Sequence, residues 1–220
     1  MSDINILGIV GSVRKDSYNH AALTAAQELA PDGVVLNVFE LHGIPVFNQG
    51  NKMAPPAAVI EFRRRILEAD AILFATLDYN FSLAGGLRNA IEWVARPDWA
   101  NAWVGKPAAV MGASVGSLGK AHAQYQLRQI LVTLNMPVVN QVEVMTGNAA
   151  QLFDHAGRLA DEPTRQRIQT LLAALSQLVS TSQASVGQAA RHGMRENLPI
   201  LPPLRHAENA RAPSSPPIPC

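Results

Sequence analysis

The chain has one cysteine, Cys220, in 220 residues, so no intramolecular disulfide can form and a cysteine-ligated metal is excluded. Charge of either sign is scarce in excess: 18 Lys and Arg against 17 Asp and Glu leave a formal net charge of +1. With no basic stripe, that balance argues against a nucleic-acid partner. No apolar run approaches the roughly 20 residues of a membrane span. The N-terminal apolar run follows no basic segment and is too short for a secretory leader, so the expected location is the cytoplasm. The six histidines, at 20, 42, 122, 155, 192 and 206, show no metal-ligand spacing, and no metal site is expected. No internal repeat is visible at solenoid periods.

What is present is a core: 48% of the residues are hydrophobic, ample for one domain of this length. Apolar runs alternate with helical patterns. Strands are expected at Ile4 to Val10, Val34 to Phe39, Ala71 to Thr76, Pro107 to Gly112 and Pro137 to Val144. Helices are expected at Asn19 to Ala30, from Pro55 or Pro56 to Ala69, and at Gly85 to Val94, Lys120 to Leu134 and Pro163 to Val179. Leu77 to Ala84 reads as a polar loop. Five such units predict an α/β fold, a doubly wound parallel sheet with helices on both faces; right-handed crossovers favour the flavodoxin-like order 2-1-3-4-5. Composition changes near Ser180, and seven of the 15 prolines lie in Pro199 to Pro219. Residues 1–182 are therefore expected to form the domain and 183–220 a Pro-rich, disordered tail.

The most informative segment is Gly11-Ser12-Val13-Arg14-Lys15-Asp16-Ser17-Tyr18-Asn19, between the first strand and the first helix. Helix N-termini carry unpaired N–H groups and the positive end of the dipole, and so bind anions. Two serine hydroxyls, an amide and a guanidinium in or beside that turn suit a phosphate. Gly8-Ile9-Val10-Gly11-Ser12-Val13 lacks the third glycine of the dinucleotide fingerprint, which favours a terminal phosphate monoester over a bridging pyrophosphate. Two further loops fall at carboxyl ends of strands, where open α/β sheets bind ligands: the segment from Leu77 to Trp93, and Gly112-Ala113-Ser114-Val115-Gly116-Ser117-Leu118-Gly119.

Three other chemistries share parts of these loops. Gly112-Ala113-Ser114-Val115-Gly116 fits the G-x-S-x-G nucleophile elbow. A hydrolase would then need its acid and histidine from adjacent Asp154 and His155, or from His122, which follows the serine too soon; the first two loops would stay unexplained. Gly119-Lys120-Ala121 brushes against the P-loop pattern, but Ser114 replaces its first glycine and Ala121 its Mg²⁺-binding hydroxyl. A flavodoxin-type electron carrier shares the fold, yet such carriers are usually strongly acidic, which a net charge of +1 does not match.

Taken together, the three loops resemble the NAD(P)H-dependent FMN reductases, a family that includes bacterial quinone and chromate reductases of flavodoxin-like fold. Their signatures run G-S-x-R-x-x-S-x-N, then P-E-Y-N-x-S-x-P-G-x-L-K-N-A-I-D-W, then G-x-S-x-G, in the order and spacing found over residues 4 to 180. This chain departs at Leu77, Asp78 and Ala84, and at Lys120 and His122 after the third loop. The resemblance implies that Ser12, Arg14, Ser17 and Asn19 hold the FMN phosphate. It implies that the loop of Asp78, Tyr79, Asn80 and Ser82 lies along the flavin ring, with Ser114 and Gly116 beside it. NADPH or NADH would be the electron donor and a quinone, free flavin, azo compound or metal oxyanion such as chromate the acceptor. The cofactor carries the redox chemistry, so no catalytic side chain is named. A homodimer or homotetramer with the site near an interface is also implied. Trp93, at helical spacing from Leu87 and Ala90, reads as core or interface; Trp99 and Trp103 read as loop residues with partial exposure.

Overall fold

The computed structural model describes residues 3–12, 14, 17–51, 54–95, 101–116 and 121–191. Five parallel strands form one sheet: β1 (Ile4–Val10), β2 (Val34–Glu40), β3 (Ala71–Ala75), β6 (Ala108–Ala113) and β7 (Val144–Thr146). Their order is β2-β1-β3-β6-β7, which is 2-1-3-4-5 counted along the sheet-forming strands. A separate two-stranded hairpin, β4 (Asp78–Tyr79) and β5 (Ser82–Leu83), follows β3. Helices α1 (Tyr18–Glu28), α2 (Ala57–Glu68), α3 (Gly85–Val94), α4 (Ala121–Thr133) and α5 (Glu162–Arg191) make the crossovers and the closing element. The chain divides into two units, Met1–Gln183 and Ala184–Cys220; the second is described only to Arg191.

Alternation along the strands builds a core on each face of the sheet. Leu7 and Ile9 of β1, Ile72 and Phe74 of β3, and Ala108 and Val110 of β6 pack with α2, α3 and α4 through Phe62, Leu87 and Leu127. Ile6 and Val10, Leu73, and Ala109 and Met111 point the other way, onto Leu23 of α1 and Leu171 and Leu175 of α5. Because side chains alternate and both faces are covered, the strands read as unbroken apolar runs.

Three expectations need correction. The fifth strand does not run from Pro137 to Val144. Val138 makes one bridge to Ala108, and pairing resumes only at Val144–Thr146. The carbonyl of Val139, which the next rung would use, accepts from Arg128 Nη1 at 2.8 Å. The last helix does not stop at Val179 but continues to Arg191; among the residues whose side chains are described, Val179 is its last buried one. Trp103 is wholly buried, its ring against Phe62 and Phe74 and its indole N–H directed to the Ile91 carbonyl at 3.4 Å. Trp93 is core, as expected, and donates to the Pro45 carbonyl at 2.8 Å. Trp99, Lys120 and residues 192–220 lie outside the described residues. Among the described residues no helix is long and apolar enough to cross a membrane, and no cluster of His, Cys, Asp or Glu could hold a metal ion.

Candidate cofactor site

The first and third loops meet. Ser12, Arg14, Ser17 and Asn19 from the β1–α1 turn, with Ala113 and Ser114 from the end of β6, line a cavity of about 210 Å³ at the carboxyl edge of the sheet. It lies at the switch point, where strand order reverses about β1 and β3. Gly11 makes the turn tight: its N–H donates to the Ala75 carbonyl at 2.8 Å, and a Cβ there would lie 3.3 Å from that oxygen and from Leu87 Cδ2. Ser12, nearly buried, accepts from the Arg14 N–H at 3.1 Å, which folds the loop back on itself. Ser17 is the N-cap of α1, accepting from the His20 N–H at 3.1 Å. Arg14 is exposed at the rim.

Asn19 is brought to the cavity wall but is already engaged. Its Nδ2 donates to the Ala113 carbonyl at 3.0 Å and its Oδ1 accepts from the Ala113 N–H at 2.9 Å, with the residue 3% exposed. This buried clasp joins loops 94 residues apart in the chain. Asn19 thus lines the cavity and also fixes one wall of the site against the other.

The second loop is the β4–β5 hairpin. Asp78 pairs with Leu83 and Tyr79 with Ser82, and only the backbones of Asp78 and Tyr79 are described. The turn residues Asn80 and Phe81 both have positive φ, 52° and 60°, as a two-residue primed turn requires. Asn80 is exposed and lies at the tip. Ser82 gives its hydroxyl to Gln126 Oε1 of α4 at 3.1 Å. Leu77, just before the hairpin, lines the cavity.

The third loop is braced from beyond β7. The Ser114 N–H donates to the Thr146 carbonyl at 2.8 Å, the Ala149 N–H donates to the Ser114 carbonyl at 2.8 Å, and the Asn148 N–H donates to the Gly116 carbonyl at 3.2 Å. Ser114 Oγ accepts from the Gly116 N–H at 3.0 Å, a small-loop turn rather than a poised nucleophile. Asp154, the acid a hydrolase would need, is occupied in its own turn by the Arg158 and Ala156 N–H groups at 2.8 and 2.9 Å and by Arg158 Nε at 2.9 Å. Those bonds, the Arg158 N–H foremost, hold its pKa below the usual carboxylate range. Sequence reasoning missed this brace and Gln126, because neither lies within a motif.

A second cavity of about 340 Å³ adjoins the first across Ser17 and Tyr18, between α1 and residues 156–159. Its polar side chains find partners: His20 Nε2 lies 3.3 Å from Glu40, Glu28 pairs with Arg165 at 3.6 Å, and Arg158 pairs with Asp154.

The smaller cavity fits one end of FMN by its donor set: serine hydroxyls, the N-terminal N–H groups of α1 and a rim guanidinium, with no carboxylate in its lining among the described residues. Fold and site together define a flavodoxin-like mononucleotide-binding flavoprotein. The chain belongs to the NADPH-dependent FMN reductase family, whose model matches residues 4–151. It is 48% identical over 174 residues to an NAD(P)H-dependent FMN reductase of Pseudomonas aeruginosa, covering 79% of this chain and 94% of that protein. It is 40% identical over 177 residues to a quinone reductase of Pseudomonas putida, covering 80% and 95%. Among solved structures it is similar to the flavoenzyme NAD(P)H:acceptor oxidoreductase FerB of Paracoccus denitrificans, with a TM-score of 0.75 and 32% identity over 81% of this chain and 98% of that one.

Proposed function

We propose that the protein oxidises NADPH or NADH and passes the electrons through bound FMN to a small-molecule acceptor: a quinone, free flavin, an azo compound or a metal oxyanion such as chromate. FMN, when bound, supplies the redox chemistry, and the chain supplies the seat. Ser12, Ser17 and Arg14 would take the phosphate, with the α1 N-terminus adding the positive end of its dipole. Asn19 keeps the first and third loops at fixed separation. The backbone of Asp78, Tyr79 and Asn80 and the Ser114–Gly116 turn would border the ring. The observation that carries this reading is the meeting of the first and third loops at one cavity at the switch point, lined by Ser12, Arg14 and Ser17 and with no carboxylate among its described lining residues.

The test is the visible spectrum of the purified, FMN-reconstituted protein. Anaerobic NADPH should bleach the flavin band, and a quinone should restore it with matching stoichiometry. A band that NADPH and NADH both leave intact would instead favour an electron carrier reduced by another protein.

The acceptor and assembly are finer parts of the same proposal. We infer a homodimer or homotetramer, working in the cytoplasm, that uses the α2–α4 side of the sheet. Ile60 and Leu67 of α2 and Tyr125 and Val132 of α4 are exposed there, while both helices turn Phe62, Ile66 and Leu127 inward. Sedimentation equilibrium should give an even multiple of the chain mass, and charged substitutions at Leu67 and Val132 should lower it.

A further inference from the structure

We propose that Gln126 is a positioning residue: one amide on α4 holds the β4–β5 hairpin in the conformation that borders the flavin site. The inference rests on the flavin reading above. Gln126 Oε1 accepts from the Ser82 hydroxyl at 3.1 Å and from the Leu83 N–H at 3.0 Å, while its Nε2 donates to the Phe81 carbonyl at 3.3 Å. Both ends of the amide are used, on three consecutive residues.

The hairpin needs such a hold. It has two rungs, far short of what keeps an isolated hairpin folded in water. Its turn places a bulky non-glycine residue, Phe81, at φ 60° with 70% of its surface exposed, so burial of the ring offsets little of that strain. Strained left-handed residues persist where surrounding structure over-determines them. Here the surroundings are α4: Gln126 grips the backbone, and His122, one turn earlier, sets its ring edge-on to Phe81 at 4.8 Å between centroids.

The placement of α4 gives the hold its consequence. The helix packs through Ala123 and Leu127 on the side of β6, the strand that runs into the third loop. Through Gln126 it also holds the second. The strand behind one loop that would border the flavin and the backbone of the other thus both meet α4. Leu77, on the cavity wall, is one residue ahead of the hairpin, so releasing the hairpin would loosen the wall.

The test uses the full chain and two variants, Gln126→Met, which keeps the shape and removes all three bonds, and Gln126→Glu, which keeps acceptors for Ser82 and Leu83 but cannot donate to Phe81. Amide hydrogen exchange at Leu83 in the flavin-free protein reads the latch directly. It should speed up in Gln126→Met and stay near wild type in Gln126→Glu. The dissociation constant for FMN should rise about three- to tenfold in Gln126→Met, the scale of one or two hydrogen bonds, and less in Gln126→Glu. The thermal midpoint of the flavin-free protein should stay close to wild type in both, since the bonds are peripheral to the core. Unchanged exchange, or faster exchange with unchanged FMN affinity, would overturn the positioning role. So would a large fall in midpoint in both variants, which would make Gln126 a general stability residue. Wild type that binds no FMN refutes the flavin reading itself, whatever the exchange shows; wild type that binds FMN while Gln126→Met behaves identically refutes only the positioning role.

Discussion

Replacing Asn19 with alanine separates two roles that look alike in a motif. In the structure its amide closes two buried hydrogen bonds to the Ala113 backbone, at 3.0 and 2.9 Å. Removing the amide leaves a buried N–H and a buried C=O without partners. Each such group costs about 1–3 kcal/mol, so the flavin-free protein should lose about 2–6 kcal/mol. That is a large share of the roughly 5–15 kcal/mol that separates folded from unfolded chains. Urea unfolding of flavin-free wild type and Asn19→Ala measures it. Because the clasp sets the spacing of the whole cavity, FMN and riboflavin should weaken alike. A phosphate ligand behaves otherwise: its loss spares the flavin-free protein and weakens FMN only. Asn19→Asp sharpens the test. A carboxylate there still accepts from the Ala113 N–H but faces the Ala113 carbonyl without a proton, so burial and that oxygen raise its pKa above the unfolded value of about 3.9. A raised carboxyl pKa gives stability that is present at low pH and lost as pH rises through the folded pKa. The aspartate variant should therefore approach wild-type stability near pH 4 and fall away toward pH 7. A flavin-free midpoint unchanged within about 0.5 kcal/mol in Asn19→Ala, with FMN binding alone impaired, would refute the clasp.

Three further outcomes are expected. Arg14→Ala should weaken FMN by about 1.5–3 kcal/mol, a tenfold to hundredfold rise in dissociation constant, and leave riboflavin nearly unchanged; equal losses would mean that Arg14 supports the fold instead. Ser114→Ala removes one bond from the Gly116 N–H, worth about 0.5–1.5 kcal/mol, so flavin and most NAD(P)H oxidation should survive. Stoichiometric labelling of wild-type Ser114 by a serine-directed phosphonate would revive the hydrolase. Truncation after Arg191 removes the Pro-rich segment and should leave the thermal midpoint and flavin binding intact; a fall of many degrees would show that it docks on the domain.

The parts of the fold legible in the sequence are those where burial is local and periodic. β1 and α3 match their expected bounds residue for residue, because a doubly buried strand is an unbroken apolar run and α3 carries its apolar stripe through Leu87, Ala90, Ile91 and Val94. What was illegible depends on distant partners. The β4–β5 hairpin hides in a polar loop, since its turn is Asn-Phe rather than Asn-Gly and its hold comes from Gln126, more than forty residues away. The fifth strand is interrupted by a guanidinium on α4, which no strand propensity encodes. Trp103 sits among turn residues and is buried only because Phe62 and Phe74 converge on it. The extra turns of α5 lack apolar periodicity but keep helix-forming residues, and hydroxyls such as Ser180 and Ser182 return to carbonyls four residues back. Within the site, the residue types of the first loop were readable. That one of them ties the loop to β6 was not, because the tie is made to backbone.

The interior place of β1, between β2 and β3, has a consequence for how the chain is made. Both its neighbours in the sheet follow it in the chain: β2 begins at Val34 and β3 ends at Ala75. Until β3 emerges, about 65 residues further along, Ile4 to Val10 has an unpaired edge. At about 5–20 residues per second that interval lasts roughly 3–13 s. A seven-residue uncharged run without proline is what pairs with other nascent copies. Asp3 before it and Arg14 and Lys15 after it stand where charged gatekeepers blunt such pairing. Slow translation between Val10 and Ala75 would therefore lengthen the hazardous window, while the same delay after Ala75 would fall on a strand already enclosed.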